Sequence, residues 1–269
     1  MRARSLLVAA AVAACGDARA EGAVHPLDED LGGPPSRYAR ALLAVAQRGE
    51  APPPNDAGAA PVALRCVATP GDRKYVGIVQ WMEIAAPLAE VDRILADVPH
   101  YKDLFPGLVD AREVQRSRDG NRYLTAWEQR VPVFFVPNTR YELTYLVTRE
   151  GARVVYRYRL ARRGELTNSD GVIVLEADGA RRTRFTEYDF FNARWGILPE
   201  GAVWRESLRG AFGSDVAIKL RAEHPAWSYP RIADEAERLR REAEGALEGC
   251  RRHRVPAADV LPGQVWAVP

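Results

Sequence analysis

Hydrophobic positions repeat with different spacings along the chain, and each change of spacing marks an element. Residues 36–49 (SRYARALLAVAQRG) place Tyr38, Leu42, Leu43 and Val45 on one face of a short helix. Ala51-Pro52-Pro53-Pro54-Asn55-Asp56 breaks it, and the stretch to Pro61 continues as a flexible or polyproline linker. From residue 75 the period drops to two. YVGIVQWMEI (75–84) is rich in β-branched and aromatic residues, with Val76, Ile78 and Met82 on one face. Residues 87–98 then return to helical spacing through Leu88, Val91, Leu95 and Val98, and 100–106 (HYKDLFP) form a second short helical turn.

Six further strands are expected at 108–116, 123–136, 140–148, 153–162, 172–177 and 182–192. Turn residues separate them: Arg118-Asp119-Gly120-Asn121, Pro137-Asn138, Glu150-Gly151, Asn168-Ser169-Asp170-Gly171 and Asp178-Gly179. The clearest alternation puts Val154, Tyr156, Tyr158 and Leu160 on one face and Arg157 and Arg159 on the other. Such short connections predict an antiparallel meander. Helical spacing resumes at 204–221, interrupted by Gly210 and Gly213, and again at 231–252. The stripe of this last helix (Ile232, Ala236, Leu239, Ala243, Ala246, Cys250) is narrow, with charged flanks, and predicts docking on the domain's own edge.

The first residues read as an export signal: Arg2 and Arg4 precede the apolar run LLVAAAVAA (6–14), too short to span a bilayer. Two cleavage sites compete. Ala18-Arg19-Ala20 would leave Glu21 as the mature N-terminus, whereas Val12-Ala13-Ala14-Cys15 resembles a lipobox, with Cys15 lipidated and the protein anchored to a membrane. The division expected is a signal at 1–20 (or ending before Cys15), an arm and linker at 21–72, a main domain at 73–224, and a C-terminal helix and tail at 225–269. The destination expected is the bacterial periplasm or envelope.

The 269 residues carry 38 basic and 36 acidic side chains. Without Arg2, Arg4, Arg19 and Asp17, both counts become 35. A balanced, exported protein has no electrostatic call on nucleic acid, despite the arginines of 157–163, and points to an apolar ligand. An oxidising compartment also makes Cys66 and Cys250 an even pair, either bonded or two separate buried thiols.

The order of strand, two short helices, antiparallel strands and long helix is that of the helix-grip fold, and the residues resemble the START-like (SRPBCC) superfamily. The match is strongest at 91–114 (VDRILADVPHYKDLFPGLVDAREV), a helix, a Y-x-x-x-x-P elbow and a strand. A looser match is 181–191 (RRTRFTEYDFF), similar to the family's last strand. The resemblance implies an α+β fold in which a curved antiparallel sheet of about seven strands grips a long C-terminal helix, with one extra helix after it. It also implies a cavity for a lipid, sterol, isoprenoid or polyketide-like molecule. Candidate wall residues are Trp81, Trp127, Tyr141, Leu143, Tyr145, Tyr156, Tyr158, Phe185, Phe191, Phe212 and Val216, each of which alternatively fills the core.

No metal spacing among His25, His100, His224 and His253, no nucleophile elbow and no phosphate loop is present, so neither metal nor cofactor is expected. Ser214-Asp215 reads as a solvated pair in a helix. The leading expectation is an exported carrier of a hydrophobic ligand without covalent chemistry. A cyclase- or dehydratase-type enzyme on the same fold requires Glu128, Glu187, Asp189 or His100 to face the cavity, a buried carboxylate being partnered by Arg130 or Arg157. An envelope interaction protein requires an exposed Ile232, Leu239 and Leu247 stripe and no disulfide.

Overall fold

The computed structural model describes residues 39–48, 61–68, 75–131, 137–162, 166–193 and 198–260. The expected signal, Cys15 and the Pro-rich linker lie outside them. In chain order the elements are α1 (Ala39–Arg48), β1 (Ala63–Ala68), β2 (Tyr75–Ile84), α2 (Leu88–Ala96), α3 (Tyr101–Leu104), β3 (Leu108–Arg116), β4 (Arg122–Gln129), β5 (Thr139–Glu150), β6 (Arg153–Leu160), β7 (Leu166–Ala177), β8 (Thr183–Ala193), α4 (Glu200–Glu223), α5 (Tyr229–Glu242), α6 (Glu244–Arg252) and β9 (Val255–Pro256).

The strands form one curved, open sheet in the order β3-β4-β5-β6-β7-β8-β2-β1-β9. All neighbours are antiparallel except β1 and β9. The sheet therefore has nine strands, two more than the sequence predicts, and both additions sit at the β2 edge. β1 falls in the segment expected to be an arm; pairing of Ala63–Ala68 along β2 brings that part of it into the domain. Six residues after a Pro-rich stretch carry too little alternation to announce a strand without their partner.

Another difference lies in β7. Asn168-Ser169-Asp170-Gly171 has turn composition, yet these residues continue the strand, paired with β8 from Asn168↔Asn192 to Gly171↔Asp189. Tertiary pairing overrides local propensity here because buried ladder partners flank the strand on both sides. Gly171 also serves packing: a Cβ there would lie 2.0 Å from Tyr158 Cζ, so the absent side chain is the space occupied by the tyrosine ring.

The two faces of the sheet bury different clusters. On the inner face α2, α3 and α4 close over Val76, Ile78, Met82, Tyr156, Leu160, Leu175 and Phe185. On the outer face α1 inserts Leu42 and Val45 against Val155, Val172, Val174, Tyr188 and Phe190. α2 is tied to the sheet through Asp92, which receives Arg149 at 2.9 and 3.0 Å and the Tyr156 hydroxyl. Its other anchor is the Thr183 hydroxyl, which donates to Ala86 O at 2.9 Å.

α4 runs 24 residues across the inner face. Its glycines permit close approach: a Cβ at Gly213 would meet Pro106 Cγ at 3.2 Å, and one at Gly210 would meet Gln129 Nε2 at 3.4 Å. The final helix expected at 231–252 is two helices, turning at Ala243. This turn carries α6 to β1, where Cys250 and Cys66 form a disulfide with Cα atoms 5.4 Å apart. Ile232 and Leu247 are buried in their own domain and Leu239 packs against the same core, so the exposed stripe that an interaction module requires is covered. No helix of the described residues is long and apolar enough to cross a membrane.

Candidate functional site

Between the inner face of the sheet and α4 lies a cavity of about 190 Å³. It exceeds the roughly 150 Å³ of an apolar protein cavity that accommodates benzene. Strand alternation supplies its wall. β4 contributes Trp127 and Gln129, β5 Tyr141, Leu143 and Tyr145, β6 Tyr156 and Tyr158, and β8 Glu187, Asp189 and Phe191. The α3 elbow adds Tyr101, Phe105 and Pro106, and α4 adds Ser207, Gly210, Ala211, Ser214, Asp215 and Ile218.

The aromatic residues form two linked groups. Trp127 stacks between Phe105 at 6.3 Å and Tyr141 at 6.0 Å, and Tyr101 leans on both Phe105 and Trp127. Tyr145 joins Tyr123 at 4.9 Å and Tyr158 at 5.5 Å. Two of the polar edges are directed to a partner: Trp127 Nε1 donates to Thr125 Oγ1 at 2.6 Å, and the Tyr141 hydroxyl donates to Gln129 Oε1 at 3.4 Å. Rings with satisfied edges leave their faces as the apolar surface.

Of the candidate wall residues, Trp127, Tyr141, Leu143, Tyr145, Tyr156, Tyr158 and Phe191 border this cavity. Phe185, Phe212 and Val216 are buried in the packed core beside it. Trp81 lies across the sheet, in the outer cluster with Tyr188 and Phe190, because it alternates with the inward-facing Gln80 and Met82. Adjacent strand residues point to opposite faces, so its burial alone does not place it at the site.

Three carboxyl groups interrupt the apolar wall. Glu187 pairs across the ladder with Gln80 and Ile173, and Asp189 with Ile78 and Gly171. The third is Asp215 on the buried side of α4. The Tyr158 hydroxyl donates to Glu187 Oε1 at 3.0 Å, and Gln80 Nε2 donates to Glu187 Oε2 at 3.4 Å. Asp215 hydrogen-bonds Glu187 as well.

Burial pushes the Glu187 carboxyl above its usual range, opposed by hydrogen bonds from Tyr158, Asp215 and Gln80. Asp189 is held well above the ordinary carboxylate range by burial and then by the charge of Glu187. Asp215 is raised well above it too, by burial, by the charge of Glu187 and by the hydrogen bond it donates there. Among the described residues no Lys, Arg or His borders the cavity.

The expected arginine partners point elsewhere: Arg130 is exposed, and Arg157 alternates with the inward Tyr156 and Tyr158. Glu128 alternates with Trp127 and faces away; hydrogen bonds from Asn138 and then Arg140 hold its carboxyl below the usual range. His100 is half exposed, stacked on Tyr229 at 5.4 Å and 2.8 Å from Asp97 Oδ1. Asp215, read from sequence as solvated, is 1% exposed. Its spacing from Leu208, Ala211 and Phe212 was the signal available, since positions three, four and seven apart share a helical face. The described residues contain no cluster of His, Cys, Asp or Glu arranged to hold a metal.

No protein-family model and no curated protein matches the chain. Solved structures do. A STAR-related lipid transfer protein from Xanthomonas axonopodis aligns with TM-score 0.52 and 13% identity, over 60% of this chain and 93% of that one. Human STARD10 aligns with TM-score 0.52 and 14% identity, over 84% and 89%. At such identities the likeness speaks to backbone architecture. With the strand order and the gripped helix α4, it establishes that this chain has the START-like (SRPBCC) helix-grip fold.

Proposed function

We propose that the protein is an exported binding or carrier protein that holds a hydrophobic ligand of the lipid, sterol or isoprenoid class between the sheet and α4. The observation that carries this reading is the cavity itself, about 190 Å³ behind an aromatic wall in which the polar edges of Trp127 and Tyr141 are already paired. The Xanthomonas structure on the same fold is that of a lipid transfer protein, which supports the ligand class. Export rests on the first 20 residues, with lipidation of Cys15 as the route to a membrane anchor. The test is native mass spectrometry of the mature protein purified from its own envelope fraction, followed by denaturing extraction. A stoichiometric hydrophobic molecule is expected; an empty protein at full recovery would overturn the reading.

A second reading, an acid–base enzyme on the same fold, is favoured by Glu187 and Asp189. They occupy the cavity with raised pKa values, the condition for a carboxyl to donate a proton near neutrality. Incubating the extracted ligand class with the protein tests it. Turnover lost in Glu187→Gln, with binding retained, would establish catalysis.

A further inference from the structure

We propose that the cavity selects a hydrophobic organic cation, an apolar body bearing a protonated amine. This deepens the ligand-binding reading and rests on it. Glu187, Asp189 and Asp215 bring three acids to one cavity, and no basic side chain of the described residues borders it. The neutral donors supplied there are Tyr158, which hydrogen-bonds both Glu187 and Asp189, and Gln80, which donates to Glu187. Asp215 Oδ2 and Ser207 Oγ, both at the cavity, are buried with no hydrogen-bond partner among the described residues. A buried acceptor left without a donor is costly, and a charged donor compensates it most strongly.

The rest of the wall fits the same ligand. Trp127, Tyr141 and Tyr145 border the cavity, and aromatic rings attract ammonium groups as well as apolar surface. Burial raises the Asp189 and Asp215 carboxyls and so favours their protonated, neutral forms. The other titratable groups facing them are the phenols of Tyr101, Tyr141, Tyr145, Tyr156 and Tyr158, all shifted upward by burial and so neutral. An amine takes the place of such a proton and leaves the site balanced. An alcohol of the same shape gains hydrogen bonds without the charge term, and a carboxylate brings a further buried anion to a site with no basic side chain among the described residues.

Three probes with one body test this by calorimetry on the mature protein at pH 7.5: 2-naphthylmethylamine, 2-naphthalenemethanol and 2-naphthoic acid. The amine is expected to bind about tenfold or more tightly than the alcohol, which is about 1.4 kcal/mol or more, and the acid most weakly. Amine binding, measured in buffers of different ionisation enthalpy, is expected to release protons. Asp215→Asn should bring the amine-to-alcohol ratio towards one; Glu187→Gln serves if that variant does not fold. An alcohol that binds as tightly as the amine overturns cation selectivity and leaves the ligand-binding reading standing. Failure of all three probes to bind overturns both.

Discussion

The hydroxyl of Tyr158 reaches Glu187 at 3.0 Å across an intervening strand, and Gly171 is what lets it do so. Tyr158 lies on β6 and Glu187 on β8; the β7 residue opposite Tyr158 is Gly171. A missing Cβ thus turns a tyrosine that would stand up into the cavity into one that lies along the sheet and donates to a carboxylate.

Gly171→Ala should therefore destabilise the fold by about 1–3 kcal/mol through overpacking. The double variant Gly171→Ala/Tyr158→Val should lose less than the sum of the singles, because each substitution removes the other's conflict. Denaturant unfolding of the four proteins measures the coupling. Additive losses would mean that the ring and the glycine do not compete for the same space.

The buried carboxyls set the sign of one pH dependence. Glu187, Asp189 and Asp215 are raised above their unfolded values, near 4, so between the two values the folded state binds more protons. Their contribution to stability is intact below the unfolded pKa and is lost as pH rises through the folded one. Surface carboxylates such as Glu248, lowered to about 2 by Arg251 and Arg252, act oppositely. The comparison must therefore be between variant and parent. Asp189→Asn should gain stability relative to the parent between pH 5 and pH 8 in thermal melts; a constant difference would refute the raised pKa.

Breaking the Cys66–Cys250 bond, which links positions 184 apart in sequence, should cost about 2–5 kcal/mol. The expected outcome is a lower unfolding midpoint for Cys66→Ser/Cys250→Ser and for the reduced parent alike. A parent whose melting is unmoved by reductant would show that α6 is held on β1 by packing alone.

On the proposed export, the mature protein should begin at Glu21. Intact mass decides the point: a diacyl or triacyl adduct on a chain starting at Cys15 would show lipid anchoring instead, and a chain retaining Met1 would refute export.

Much of the architecture was legible in the chain because periodicity survives wherever a surface is half buried. The alternation Val154, Tyr156, Tyr158, Leu160 faces the interior as read, and Val76, Ile78 and Met82 share the inner cluster. The helix of 87–98, the elbow at Tyr101–Pro106 and the long helix over the sheet all occur at their expected places. Local pattern fails where a residue's role is set by a distant neighbour. The Asn168–Gly171 stretch is strand because β6 and β8 flank it, and Trp81 faces the outer cluster because of the phase of β2.

The amino-acid sequence alone determined the order of the elements from β2 to α4, the inward face of each well-alternating strand and the aromatic character of the wall, since these depend on local spacing. Only the tertiary structure decided that Glu187, Asp189 and Asp215 converge on one cavity that no basic side chain of the described residues borders. Strands β6, β7 and β8 and helix α4 contribute to that convergence from positions 158 to 215, and the spacing of charges along a chain carries no record of which ones folding brings into one low-dielectric space.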